Sequence, residues 1–167
     1  MSNIYLVGFM GTGKTIVGKL LSHRLKKQFI EMDEFIEQRE KMSILKIFSQ
    51  RGEGYFRKVE KEVLKEIANK NDCVVSCGGG VVIDNENMEI LKRTGLVICL
   101  SADSETIYER TAKDKNRPLL NVDNPKKRIE ELLKIREPFY RKSHIFIDTT
   151  NISPEEVVDK IVKVLNG

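Results

Sequence analysis

Eight consecutive residues, Gly8-Phe9-Met10-Gly11-Thr12-Gly13-Lys14-Thr15, follow the spacing G-x-x-x-x-G-K-[ST]. Residue types in that order build an anion cradle. Glycine lets the backbone curl until successive N–H groups point at one anion. A helix starting near Lys14 aims the positive end of its dipole at the same point. Lys14 has the reach to meet the outer phosphates of a nucleoside triphosphate, and the Thr15 hydroxyl can ligate Mg²⁺. The flanks suit this reading, because the apolar run NIYLV leads in and the amphipathic run IVGKLLSHRLKK leads out. A chance match in a chain of this size has odds on the order of one in a hundred, and the flanking strand and helix lower them further. The pattern identifies a phosphate site without identifying what receives the phosphate.

Two further groups of residues point to the same place. Asp33 closes the run QFIEMD, and Gly78-Gly79-Gly80 closes the run CVVSCG. In an open sheet of parallel strands, ligands bind beyond the carboxyl ends of the strands. Three glycines there let backbone N–H groups come close to a ligand. Asp33 has a second reading as the cap of the helix that follows it.

The elements that must position these residues are legible as an alternation. Short apolar runs (NIYLVG at 3–8, QFIEMD at 28–33, CVVSCG at 73–78, GLVICLS at 95–101, HIFIDT at 144–149) are separated by stretches of helical period. Such an alternation predicts an α/β fold, a parallel sheet with helices on both faces. NIYLV, CVVSC and LVICL are apolar on both alternations, as strands buried on two faces must be. Residues 34–70 read as charged helix, longer than a crossover needs. The polar stretch at 112–125 is long for a connection and reads as a functional loop or lid. Ser153 is a candidate N-cap, with Pro154 at the first helical position and Glu155 and Glu156 in the first turn.

The 167 residues fit one domain, and no apolar run approaches the roughly 18 residues that cross a membrane. With no basic n-region or small-residue cleavage site near the start, a cytoplasmic protein is expected. The net charge of +4 comes from interleaved Lys and Glu rather than a basic stripe, so no nucleic-acid or membrane partner is expected. Cys73, Cys77 and Cys99 sit in apolar runs without metal or redox spacing and read as core residues. His23 and His144 are isolated and carry no chemistry. Asn69-Lys70-Asn71-Asp72 spells N-K-x-D, a guanine-reading motif in GTPases, but it lies ahead of the third apolar run and reads as accidental.

Taken together, GFMGTGKT at 8–15, FIEMDEFIE at 29–37, GEGYFRKVE at 52–60, SCGGGVV at 76–82, NRPLL at 116–120 and REPFYRK at 136–142 resemble the shikimate kinases in order and spacing. The resemblance covers almost the whole chain. It implies a P-loop fold like that of nucleoside monophosphate kinases, with five parallel strands in the order 2-3-1-4-5. It implies a single domain with a helical substrate-binding region at about 34–60 and a lid at about 112–125. The implied reaction moves the ATP γ-phosphoryl group to the 3-hydroxyl of shikimate, on the route to chorismate and the aromatic amino acids. Mg²⁺ is the implied cofactor and a monomer the implied state.

The resemblance also assigns residues. Lys14, Asp33 and Arg117 would be catalytic. Gly11, Thr12, Gly13, Lys14, Thr15 and Ile16 would hold the phosphates, with Arg110, Arg117 and Pro154 on the nucleotide and Thr15 on the metal. Asp33 would orient the reacting hydroxyl. Arg57 and Arg136 would grip the shikimate carboxylate, a task that suits a planar guanidinium. Gly78, Gly79, Gly80 and Arg117 would complete that pocket, and Arg117 would swing in with the lid. This chain departs from the family at Glu31, where aspartate is usual, and at Ile16, where a hydroxyl residue is common. Ser76 stands where many P-loop proteins carry a Walker-B aspartate. A gluconate-kinase-like enzyme and a nucleotide-dependent switch module are the alternatives.

Overall fold

A computed structural model of the chain describes residues 2–112 and 117–167. Five strands form one sheet: β1 (Asn3–Val7), β2 (Gln28–Glu31), β3 (Cys73–Ser76), β4 (Gly95–Ser101) and β5 (Ile145–Asp148). Their order is β2-β3-β1-β4-β5, and every pairing is parallel. The order is the one that the resemblance implies. The helices are α1 (Lys14–Leu25), α2 (Met32–Glu40), α3 (Ile44–Ala68), α4 (Asn85–Thr94), α5 (Ser104–Thr111), α6 (Pro125–Tyr140) and α7 (Pro154–Asn166).

Strand alternation divides the apolar residues into two cores. Ile4 and Leu6 of β1 face Val17 and Leu21 of α1 and Val157 and Ile161 of α7. Tyr5 and Val7 face the other way, with Val59 and Val63 of α3, Leu91 of α4 and Ile129 of α6. All of β1 and β3 is buried, which accounts for their unbroken apolar character. The three cysteines are free thiols and all are buried. His144 is structural: its N–H donates to Val97 O at 2.9 Å, and its Nδ1 accepts from Val97 N at 3.0 Å.

Because all strands run one way, every carboxyl end lies along one edge. The P-loop leaves β1 there and the three glycines leave β3 there. The N-K-x-D tetrad lies at the opposite edge, ahead of β3, where Asp72 pairs with Lys27. That position is wrong for reading a base beside the P-loop. The expected second strand is shorter than its apolar run: pairing with β3 stops at Glu31, opposite Ser76, and α2 starts at Met32. Asp33 therefore lies in the first turn of α2, not at the strand end, and the N-cap residue is Glu31. Residues 34–60 are α2 and the front half of α3, which is broken at Gly52 (φ 83°). In the expected lid, residues 113–116 lie outside the described residues, and Pro118–Leu120 form a single 3-10 turn. Ser153 caps α7 through a reciprocal capping box with Glu156.

Candidate active site

The cradle has its strained backbone where the motif requires glycine. Gly8 adopts φ 139°, and a Cβ there would collide with the Leu100 carbonyl. Gly13 is the left-handed N-cap of α1 (φ 95°) and supplies no side-chain cap, so the first N–H groups of the helix stay open to an anion. The first turn carries no acidic residue to compete for that position. Lys14 Nζ donates to the carbonyls of Gly8 at 2.9 Å and Phe9 at 3.0 Å, folded back across the loop. Burial, with Arg117 nearby, pushes the Lys14 ammonium down to about 8. Thr15 Oγ1 donates to Glu31 Oε2 at 2.6 Å. The longer glutamate side chain thus brings its carboxylate into direct contact with the threonine hydroxyl. Burial raises the Glu31 carboxyl, partly offset by that hydrogen bond.

The cradle lines a cavity of about 530 Å³. Gly11, Thr12, Gly13, Lys14, Thr15 and Ile16 form one wall, and Arg110, Ile152, Pro154 and Val157 form the far end. Arg110 ties the two together, because its guanidinium donates to Gly11 O at 3.0 Å and to Thr149 O at 3.2 Å. Thr149, buried at the end of β5, donates its hydroxyl to Thr12 O at 3.0 Å.

A second cavity, about 80 Å³, adjoins the first and is lined by Arg57, Glu60, Gly78, Gly79, Gly80 and Arg136, among others. Met10, Asp33, Gly79 and Arg117 line both. Burial raises the Asp33 carboxyl, while Lys14, Arg117 and Arg57 pull it back down. An acid flanked by three cations at a boundary between cavities is equipped to accept a hydrogen bond from a hydroxyl.

Arg136 is 2% exposed, and its Nε and Nη1 have no hydrogen-bond partner. The guanidinium lies 5.4 Å from the ring centroid of Phe9. An unsatisfied buried donor costs on the order of 1–3 kcal/mol and more when charged, so this cation is poised for an anion. Arg57 is held by Glu60, with Nη1–Oε distances of 2.9 and 3.1 Å, and by Glu53 at 3.6 Å. Glu60 is 1% exposed, and burial raises its carboxyl against the pull of Arg57. The three glycines serve these side chains. A Cβ on Gly80 would come within 2.5 Å of Arg57 Nη2, and one on Gly78 within 2.8 Å of Glu60 Oε2. Room for side chains, as well as open backbone amides, explains glycine here. None of the three has a positive φ.

Every residue named from the sequence for the site therefore lines one of two adjoining cavities. Glu60, Thr149 and Met10 also line the cavities, beyond the residues that the sequence points to. Glu60 stands three residues after Arg57 and is followed by alternating charges, so it reads as part of a solvated helix face. Its spacing from Arg57 is the one signal that sequence offered.

Comparison with known proteins agrees with this geometry. The family model for shikimate kinase matches residues 10–166. A shikimate kinase from Thermodesulfovibrio yellowstonii is 50% identical over 163 residues, covering 98% of this chain and 94% of its own. A solved shikimate kinase from Acinetobacter baumannii, in complex with shikimate, superposes with a TM-score of 0.96 at 40% identity, over 99% of this chain and 93% of that one. The Aquifex aeolicus shikimate kinase structure gives 0.87 at 39% identity, over 99% and 96% of the two chains. Similarity at this level, running from the anion cradle to the last helix, means that the chain belongs to the shikimate kinase family.

Proposed function

We propose that this protein transfers the γ-phosphoryl group of ATP to the 3-hydroxyl of shikimate. The observation that carries the reading is Arg136: a buried cation with two unpartnered donors, in a small cavity that shares Asp33 with the cavity of the phosphate cradle. A carboxylate satisfies those donors, and a ring hydroxyl on the same molecule then faces Asp33. The complex of a 40% identical relative with shikimate supports this choice of acceptor.

In this reading ATP lies in the larger cavity, with its phosphates against the N–H groups at the start of α1. Lys14 leaves the carbonyls of Gly8 and Phe9 for the outer phosphates, whose negative charge raises its ammonium again. Asp33 orients the acceptor hydroxyl and receives its proton as the O–P bond forms. Arg117, shared by both cavities, offsets charge on the transferring oxygens. Arg57 and Arg136 hold the carboxylate, and Arg110, Ile152 and Pro154 bound the nucleoside end. The oxygen donors Thr15 and Glu31 suit Mg²⁺, a hard cation that uses few protein ligands beside phosphate. When bound, it would neutralise charge on the phosphates. The protein acts as a monomer on these two small molecules.

ADP release measured with shikimate and with gluconate, each with ATP or GTP, tests the reading. Turnover with shikimate and ATP is expected. Turnover with gluconate alone, or GTP hydrolysis without transfer, would replace it with one of the alternatives.

A further inference from the structure

α6 delivers more than Arg136 to the acceptor cavity. One helical turn later, on the same face, Tyr140 is 7% exposed and its Oη donates to Gly79 O at 2.5 Å. The other two glycine carbonyls are occupied within the turn: Gly78 O accepts from Val81 N and Gly80 O from Ile83 N, both at 3.2 Å. Gly79 O is tied to a different element altogether. A trans peptide is planar, so fixing this carbonyl also fixes the opposed direction of the Gly80 N–H. Without side chains, the glycines leave that plane to backbone bonds within the turn and to this one tie from α6. Gly79 itself packs between the two halves of the site: a Cβ there would lie 3.4 Å from Arg136 Nη1 and 3.5 Å from Met10 N of the cradle.

We infer that Tyr140 is a positioning residue for the acceptor site: its hydroxyl clamps the Gly79–Gly80 peptide to the helix that carries Arg136, so that cation and backbone amides face the acceptor as one rigid unit. The phenol is suited to this because burial pushes it up to about 12, against the charge of Arg136 beside it, and it stays a donor at neutral pH. The inference rests on the acceptor reading proposed above and extends it to a residue that does not itself touch the substrate.

Tyr140→Phe keeps the ring in the core and removes only the hydroxyl. Steady-state kinetics of this variant, beside the wild type, should give a shikimate KM raised about tenfold, the worth of one buried hydrogen bond. The KM for ATP should change less than about twofold, and thermal stability should fall by no more than a few degrees. A purely structural hydroxyl would lower Tm and leave the ratio of the two KM values where it was, and that outcome overturns the inference. So does an unchanged shikimate KM. The acceptor reading fails separately, when the wild type itself turns over no shikimate.

Discussion

Lys14 holds its charge less firmly than an ordinary lysine until something anionic arrives. Alone it is buried and donates to two loop carbonyls, with its ammonium pushed down to about 8. Phosphates reverse the loss of solvation and raise it again. Nucleotide binding at pH 8 is therefore expected to take up about half a proton, and close to none at pH 6. Calorimetric titration in two buffers of different ionisation enthalpy reads this directly. By linkage the unliganded fold gains stability as pH rises through 8 toward the ordinary lysine value, since the unfolded chain holds that proton longer. Lys14→Ala should abolish the proton uptake and lower kcat by about a thousandfold, as loss of a charge-stabilising donor does. Glu60 has the opposite sign. Its carboxyl is raised by burial, so its linkage contribution to folding is present below the unfolded value and is lost as pH rises through the folded one. Glu60→Gln imitates the protonated form. It should fold at least as stably at pH 7, yet loosen Arg57 and raise the shikimate KM by about five- to tenfold. A fall of many degrees in Tm with unchanged KM would make Glu60 a fold residue only.

At the scale of elements, the same substitution has different consequences on two loops. A Cβ at Gly8 meets a backbone carbonyl of β4, and φ there is 139°. Gly8→Ala should unfold or misshape the cradle, costing several degrees of Tm and most ATP affinity. A Cβ at Gly80 meets the far end of the Arg57 side chain, which can move. Gly80→Ala should keep Tm within about two degrees and raise the shikimate KM, because the displaced guanidinium loses its seat beside Glu60. Thermal melts and kinetics on the pair distinguish the two cases. These contrasts also account for what was legible in the sequence. The cradle could be read because its residues are contiguous and the backbone does the work. The sheet could be read because β1 and β3 are buried on both faces and so are apolar throughout. The end of β2 could not, because hydrogen bonding to β3 stops at Glu31 while the apolar pattern runs on into α2. Glu60 and Tyr140 escaped notice because their roles depend on burial and on partners in other elements, and composition carries neither.

For the molecule as a whole, the unpartnered donors and the desolvated lysine mean that the site is paid for when ligand binds. A nucleotide at a hundred times its Kd stabilises by about 2.7 kcal/mol, and for a chain of this size each kcal/mol moves Tm by about 2–4 °C. Saturating ATP should thus raise Tm by roughly 5–10 °C, and shikimate should add to the shift; scanning calorimetry with each ligand and with both measures it. An ATP-free sample that melts at the temperature of the saturated one would contradict the account of Lys14.

Met10, Asp33, Gly79 and Arg117 each border both chambers, so the boundary between donor and acceptor is only these residues thick. A compound in which a short tether joins a nucleoside polyphosphate to a cyclic hydroxy acid would have only this thin boundary to span between the chambers. Its second half would then bind at an effective concentration in the millimolar range. Inhibitors built this way would draw on the buried arginine, and so would discriminate against the many ATP-binding proteins that lack such a cation.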